Sequence, residues 1–280
     1  ISARGTFTLA KNEYVERDEP PYEYSYMSQV GQPLNNYYGY IAEGLFQSED
    51  EIADSPTQEL GTYKTQVGDI KYKDVHGDGL INGDDQVPLS YSRTPRFMYG
   101  FGLEFRYKKL SVAVLFKGTG NTDVYHVGVP DEYGVIYDAG YIPFYDKQIG
   151  NVLSIVKDPA NRWISREYAE KIGLDPSLAE NPNARFPRLS YGNLANNSQV
   201  SSFWKDNAKY LRLSEVNINY SLNVPKVIKN LGISSIDLSL VGTNLCVWDK
   251  IKISDPEQAL YNGRIYPIPA NVTLQAYIKF

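Results

Sequence analysis

Arg96-Phe-Met-Tyr-Gly-Phe-Gly-Leu-Glu-Phe-Arg-Tyr107 alternates without a break. Phe97, Tyr99, Phe101, Leu103, Phe105 and Tyr107 share one parity, and Arg96, Met98, Gly100, Gly102, Glu104 and Arg106 share the other. Successive side chains of a strand point to opposite faces. Large apolar and aromatic residues in strict period two therefore predict a β-strand with one apolar face. After Lys108-Lys109 the pattern restarts, with Leu110, Val112, Val114 and Phe116 against Ser111, Ala113, Leu115 and Lys117. Two long strands joined by a two-residue link predict a hairpin.

The pattern returns further along the chain. Val216, Ile218, Tyr220 and Leu222 alternate with Asn217, Asn219 and Ser221, while Leu211 and Leu213 sit on the opposite parity. That switch predicts a bulge or a change of role near Ser214-Glu215. Ile236, Leu238 and Leu240 alternate with Asp237, Ser239 and Val241. The last segment, Asn271 to Phe280, sets Val272, Leu274, Ala276, Ile278 and Phe280 against Asn271, Thr273, Gln275, Tyr277 and Lys279. Weaker strand patterns lie at Thr6 to Ala10 and Tyr37 to Gln47, and one short helical stripe at Arg162 to Ile172.

Alternation does not say what covers the apolar face: a sandwich buries it, whereas a membrane barrel turns it to lipid. The links discriminate. If the last strand descends and the others alternate, the links near 18–36, 108–109 and 223–235 fall on one side. Those at 48–95, 119–207 and 248–270 fall on the other. Short turns on one side and long loops on the other are the asymmetry of outer-membrane barrels. The fold class expected is therefore all-β, an antiparallel transmembrane β-barrel with long extracellular loops. About seven strands are too few to close around such loops, and open sheet edges do not sit in lipid, so the chain reads as part of a barrel.

Composition fits this reading. The chain of 280 residues is 42% hydrophobic and 22% charged, and it carries 24 Tyr against 10 Phe and 3 Trp. Tyr joins an apolar ring to a polar tip and suits strands at a water–apolar boundary. A net charge of −5 without a Lys/Arg tract argues against nucleic acid. No apolar run reaches the ~18 residues of a membrane helix, whereas barrel strands need only about 9–11. The lone Cys246 reads as a small buried residue in a strand. Ile1-Ser-Ala-Arg-Gly lacks a starting Met, a basic flank and an apolar core, so the expectation is a chain that begins partway through a longer polypeptide.

Asp74-Val-His-Gly-Asp-Gly-Leu-Ile-Asn-Gly-Asp-Asp85 approaches the calcium loop D-x-[DN]-x-[DN]-G-x5-E. Asp74, Asp78, Leu80 (through its carbonyl), Asn82 and Asp85 fall at ligand positions, with Gly79 at the sharp turn and Ile81 as apolar anchor. His76 departs from the pattern at the third position, and Asp85 is shorter than the usual Glu. A calcium ion here would stiffen a loop. A Gly/Asp-rich turn held by side-chain-to-backbone bonds is the alternative. No other cofactor is expected.

These stretches, taken in order, resemble the SusC/RagA family of TonB-dependent transporters. The resemblance is carried by Gly39 to Phe46, Gly68 to Val87, Thr94 to Phe97, Tyr99 to Leu103 and Phe116 to Asn121, then Asn183 to Leu189, Tyr210 to Leu213, Gly242 to Trp248, Asp255 to Glu257 and Tyr266-Pro267. The family usually has Asn at the position of His76. The resemblance implies that residues 1–280 are the C-terminal portion of a 22-stranded barrel, whose N-terminal plug, TonB-interacting segment and early strands lie outside this chain. It implies multi-pass residence in the bacterial outer membrane and import of oligomeric nutrients, glycans first and peptides second. The implied partners are a SusD-like surface lipoprotein as lid and TonB as energy source. A terminal aromatic such as Phe280 resembles the signal read by barrel-insertion machinery.

Substrate would meet the long 119–207 link, which carries Tyr133, Tyr137, Tyr141, Tyr145, Trp163 and Tyr191, with Arg162, Arg166, Arg185 and Arg188. Aromatic faces stack on sugar rings or peptide side chains and Arg offers planar donors, which singles out Tyr137, Tyr141, Trp163 and Arg185. Packing of a long ordered loop upon itself or against the lid is the favoured reading for any single one of these residues. No nucleophile elbow or acid–base pair emerges, and His76 and His126 lie in loops without matched ligands, so an enzyme is not expected. Two other classes compete: a soluble secreted β-sandwich that binds carbohydrate, with a calcium-stiffened loop, and a purely structural or adhesive surface barrel.

Overall fold

The computed structural model describes residues 1–89, 91, 94–126, 154–189, 195–226, 230, 232–251, 254–258 and 266–280. Its frame is one antiparallel sheet of six strands in sequential order: β1 (Ser2–Leu9), β2 (Phe97–Tyr107), β3 (Leu110–Gly120), β4 (Tyr210–Ser221), β5 (Ser235–Asp249) and β6 (Asn271–Lys279). Each strand pairs with its neighbours in sequence, so the sheet is a meander. The β2–β3 turn is Lys108-Lys109, and Lys108 takes the positive φ of 52° that a two-residue hairpin demands.

Register joins the alternating faces into two continuous surfaces. Phe7 stands opposite Tyr99, Leu103 opposite Val114, Val114 opposite Val216, and Leu240 opposite both Ile218 and Leu274. This apolar face is bare: Leu103 is 56% and Leu274 74% exposed, with Phe7, Phe101, Phe105, Trp248, Val272 and Ile278 exposed beside them. A water-soluble sandwich would place a second sheet on such a face, and among the described residues none packs there. The soluble-sandwich alternative is therefore set aside, and the apolar surface is the lipid-facing wall of a barrel portion. Arg4, Glu104, Lys117, Arg212, Glu215 and Asn217 share the opposite face. Cys246, expected to be buried, is exposed: it pairs with Leu213 on the apolar face.

The bulge expected near Ser214 is present, since the register shifts between Leu213 and Glu215 against both β3 and β5. The extra residue turns a change of parity into continuity: Leu211 and Leu213 stay on the apolar face with Val216 and Ile218.

Two strand readings change. The weak pattern at Thr6 to Ala10 belongs to a longer strand, β1, which pairs along its whole length with β2. Tyr37 to Gln47 is not a wall strand. It breaks into Tyr38–Gly39, paired with Val87–Pro88, and Ala42–Leu45, paired with Ile70–Tyr72 across an irregularity at Ala42/Gly44. Its buried residues, Tyr37, Gly39, Tyr40, Leu45 and Phe46, do not keep period two, and Gly44 has φ 139°. The link from 10 to 96 is thus one excursion, and 18–36 lies on the same side as the other long links. The side assignment becomes simpler: 10–96, 121–209 and 250–270 are on one side, 108–109 and 222–234 on the other.

The first two long links fold together. One core takes Tyr37, Tyr40, Leu45, Leu60, Ile70, Tyr72, Ile81 and Leu89 from the first and Tyr125, Val156, Trp163, Ala184, Phe186 and Trp204 from the second. Burial of each such side chain contributes roughly 1.5–3 kcal/mol, enough in sum to order loops that have little regular structure of their own. The helical stripe at Arg162 to Ile172 appears as a short helix, Arg166–Lys171, with the Ser165 side chain accepting from the Tyr168 amide at its start.

Candidate functional site

Three polar clusters brace the long links. In the first, Asp69, 2% exposed, accepts from Arg188 Nε at 2.7 Å, Asn197 Nδ2 at 2.8 Å and the Gln66 amide at 2.9 Å. Asn197 Oδ1 in turn accepts from the Ile70 amide at 2.9 Å, and Tyr72 Oη donates to the Asn196 carbonyl at 2.7 Å. Hydrogen bonds that satisfy every partner of a buried charge stabilise it where an isolated carboxylate would be costly. This cluster ties the first long link to the second.

Trp163 and Arg185, singled out as substrate contacts, sit inside the same body. Trp163 is buried against Gly68, whose φ is +87°, and a Cβ there would lie 2.3 Å from the indole ring. Arg185 Nη2 donates to Asp206 Oδ2 at 2.7 Å, and His126 Nε2 meets the same oxygen at 2.6 Å. Burial raises the Asp206 carboxyl, but the bonds from His126 and Arg185 prevail and hold it below the usual carboxylate range. Trp163 is buried in the core, whereas the Arg185 side chain is 36% exposed beside its ion pair. Arg162 is buried and caps the Val156 and Lys157 carbonyls, each at 3.0 Å. Tyr133, Tyr137, Tyr141, Tyr145 and Tyr191 lie outside the described residues.

The second cluster joins the third long link to the wall. Arg212 Nη2 donates to both oxygens of Asp255 at 2.6 Å, and its Nε lies 2.6 Å from Glu257 Oε1. Lys117 Nζ reaches Glu257 Oε2 at 2.8 Å. Neighbouring strands β3 and β4 thus hold Asp255-Pro-Glu257 from the lumenal face. Sequence reasoning had the acidic tripeptide as a motif but not its partners, because Arg212 and Lys117 face one another only through the strand register.

The third cluster is the Asp74–Asp85 loop. Asp74 accepts the Gly77 and Gly79 amides at 2.5 and 2.8 Å, and Asp78 accepts the Leu80 amide at 2.8 Å. Asp85, fully buried, accepts the Val75 amide at 2.8 Å and the Asn82 amide at 2.9 Å. Asn82 caps the following turn by accepting from the Asp84 amide. His76, read from the sequence as lying in a loop without matched ligands, stands among three carboxylates: Nε2 is 3.0 Å from Asp78, and Nδ1 is 3.1 Å from Asp85 and 4.0 Å from Asp74. The hydrogen bond to Asp78 and the surrounding carboxylates hold its imidazole above the ordinary range, against the opposing pull of desolvation. The Tyr24 ring lies tilted beside His76 at 5.0 Å, and Tyr26 donates to the Asp84 carbonyl at 2.8 Å. The sequence carried no signal for these tyrosines, because the strand reading of Tyr37 to Gln47 placed them on the wrong side of the wall.

These clusters tie the links to one another and to the wall, and among the described residues none aligns a nucleophile with a base. TonB-dependent receptor P26 of Formosa agariphila is 26% identical over 263 residues, covering 90% of this chain and 23% of its own length. The chain is related to the TonB-dependent receptors. TonB-dependent receptor P39 of the same organism is 23% identical over an aligned stretch of 290, covering 90% of the chain and 25% of that receptor. The chain therefore spans about a quarter of the length of these receptors. In fold it is similar to a solved structure of the RagAB peptide importer in its "closed-closed" state, at a TM-score of 0.51 and 17% identity, over 99% of this chain and 26% of that one. No family model matches the chain. The similarity to these receptors and to the solved structure points to one fold, a portion of a β-barrel with long loops. Among the described residues no helix is long and apolar enough to cross a membrane, which leaves crossing by strands open.

Proposed function

We propose that the chain is the C-terminal wall of an outer-membrane TonB-dependent importer, with the co-folded outer links as the rim through which an oligomeric nutrient enters. The observation that carries this reading is the pairing of a bare apolar sheet face with long links that leave the sheet on one side, the first two of which share one core. Strands β1 and β6 both have an open edge in the sheet. Lipid does not tolerate such edges, so further strands complete the barrel, and a plug with a TonB-interacting segment accompanies them. The substrate class is oligosaccharide: Tyr22, Tyr63 and Tyr168 are exposed on the outer links and have faces suited to sugar rings. Tyr137 and Tyr141 join them as candidate contacts. A SusD-like lipoprotein lids the rim.

The test is made on the full-length receptor in its own bacterium. Expected are outer-membrane fractionation, a folded form that needs detergent, co-purification of a surface lipoprotein, and loss of growth on an oligosaccharide when the gene is deleted. Growth lost on peptides instead would replace the substrate class while keeping the importer. A full-length protein soluble without detergent would overturn the reading.

A further inference from the structure

Arg162 is a buried cation without a counter-charge. It is 7% exposed, and its Nη1 donates to the Val156 and Lys157 carbonyls, each at 3.0 Å. Among the described residues these carbonyls are its partners, and no carboxylate stands within ion-pair distance. Arg185, Arg188 and Arg212 differ, since each meets a carboxylate: Asp206, Asp69, and Asp255 with Glu257. Burying a charge is costly unless it is paired, and carbonyl dipoles offset only part of that cost.

The guanidinium lines an open cavity of about 360 Å³, within the ~300–1,000 Å³ of ligand pockets. Trp163, Ser165, Tyr168, Arg188 and Leu189 line it as well. Nη1 has two hydrogens, and the two carbonyls occupy them. Nε and Nη2 remain, and their parallel N–H groups form the fork that takes both oxygens of a planar carboxylate. Arg188, in the same lining, presents that fork to Asp69, with Nε 2.7 Å from Oδ1 and Nη2 3.4 Å from Oδ2. Asp69 thus cancels one of the two positive charges, and one anionic group would cancel the other. Tyr168 is 46% exposed and offers a flat ring beside the arginines.

We propose that this cavity is a subsite for one acidic unit of the imported oligomer: a uronate whose carboxylate takes the Nε–Nη2 fork of Arg162 while its sugar ring lies on Tyr168. The inference rests on the importer reading above and narrows its substrate to an acidic oligosaccharide. The unmatched charge favours an acid over a neutral sugar, and the aromatic face favours a sugar over a bare anion. Because Arg162 is already withdrawn from bulk water, its attraction for a carboxylate is stronger than that of a surface arginine.

The test titrates full-length receptor, purified in detergent with any lipoprotein that accompanies it, by calorimetry. The probes are trigalacturonate, trimannuronate, the methyl ester of each, and triglutamate. Wild type should bind at least one of the two uronates, and the matching ester roughly tenfold or more weakly. Arg162→Gln should lose that preference for acid over ester. Tyr168→Ala should weaken acid and ester alike by about two- to tenfold and keep the preference. Binding of neither uronate, equal affinity for acid and ester, or an undiminished preference in Arg162→Gln would overturn the proposal. Tighter binding of triglutamate than of either uronate would overturn it too, by giving the fork to a peptide. Hydrogen exchange of residues 154–166 checks that Arg162→Gln keeps its local fold; should it not, wild type and Tyr168→Ala still decide. A receptor that fractionates with the outer membrane and binds no uronate refutes the subsite alone. Uronate binding by a receptor soluble without detergent refutes the importer alone.

Discussion

Replacing Asp69 by Ala should unfasten the outer mouth while leaving the wall intact. The carboxylate is 2% exposed and receives Arg188, Asn197 and the Gln66 amide. Removing one partner of a fully buried ion pair costs about 3–5 kcal/mol. The Arg188 side chain is 20% exposed and regains some water, so the lower end, about 3 kcal/mol, applies to it. Asn197 is fully buried, and its orphaned amide adds ~1–3 kcal/mol. A total near 4 kcal/mol corresponds to on the order of a thousandfold in the equilibrium for opening the loop body. Hydrogen-exchange mass spectrometry on detergent-solubilised protein would read this at the amides of residues 66–72 and 195–204, with β3 and β4 as an internal reference. Asp69→Asn, which keeps one acceptor oxygen, should show about half the effect. Exchange accelerated less than threefold in Asp69→Ala, or accelerated equally in the sheet, would refute the argument that this cluster joins the two links.

The wall makes its own predictions. Leu240→Arg puts a charge on the lipid face near the middle of β5 and should cost ~2–4 kcal/mol, seen as reduced folded barrel on heat-modifiability gels; Asn217→Arg on the lumenal face should assemble nearly as wild type. Deleting Ser214 removes the bulge, turns Leu211 and Leu213 to the lumen and Arg212 to lipid, and should abolish assembly in the same assay. Arg212→Met leaves Asp255 without its ion-pair partner and Glu257 with Lys117 alone, and should free residues 254–258 by about 2–3 kcal/mol, measured by exchange or protease cutting there.

The sheet was legible residue by residue because its signal is local. Phe97 to Tyr107 alternates in sequence as it does in space, and even the bulge at Ser214 showed as a break in parity. Tyr37 to Gln47 was misread for a related reason. Its aromatic and aliphatic residues look like a wall strand, but they are buried in pairs and singles around a kink at Gly44 to serve a core shared with a distant link. Aromatic residues in a long loop also carried two readings, contact with ligand or self-packing. Burial of Trp163 against Gly68 and the ion pair of Arg185 with Asp206 could be learned only from the fold.

By itself, then, the sequence determined which residues alternate, that one face is apolar, and that an acidic, glycine-rich loop of calcium-type spacing stands outside the wall. Those properties follow from covalent spacing and the period of a strand. The tertiary structure alone decided that residues 10–96 form a single outer excursion, that two long links share a core, and that His76 occupies the centre of the acidic loop. Each of these depends on partners that chain entropy keeps apart until the sheet has registered and the links have closed over one another.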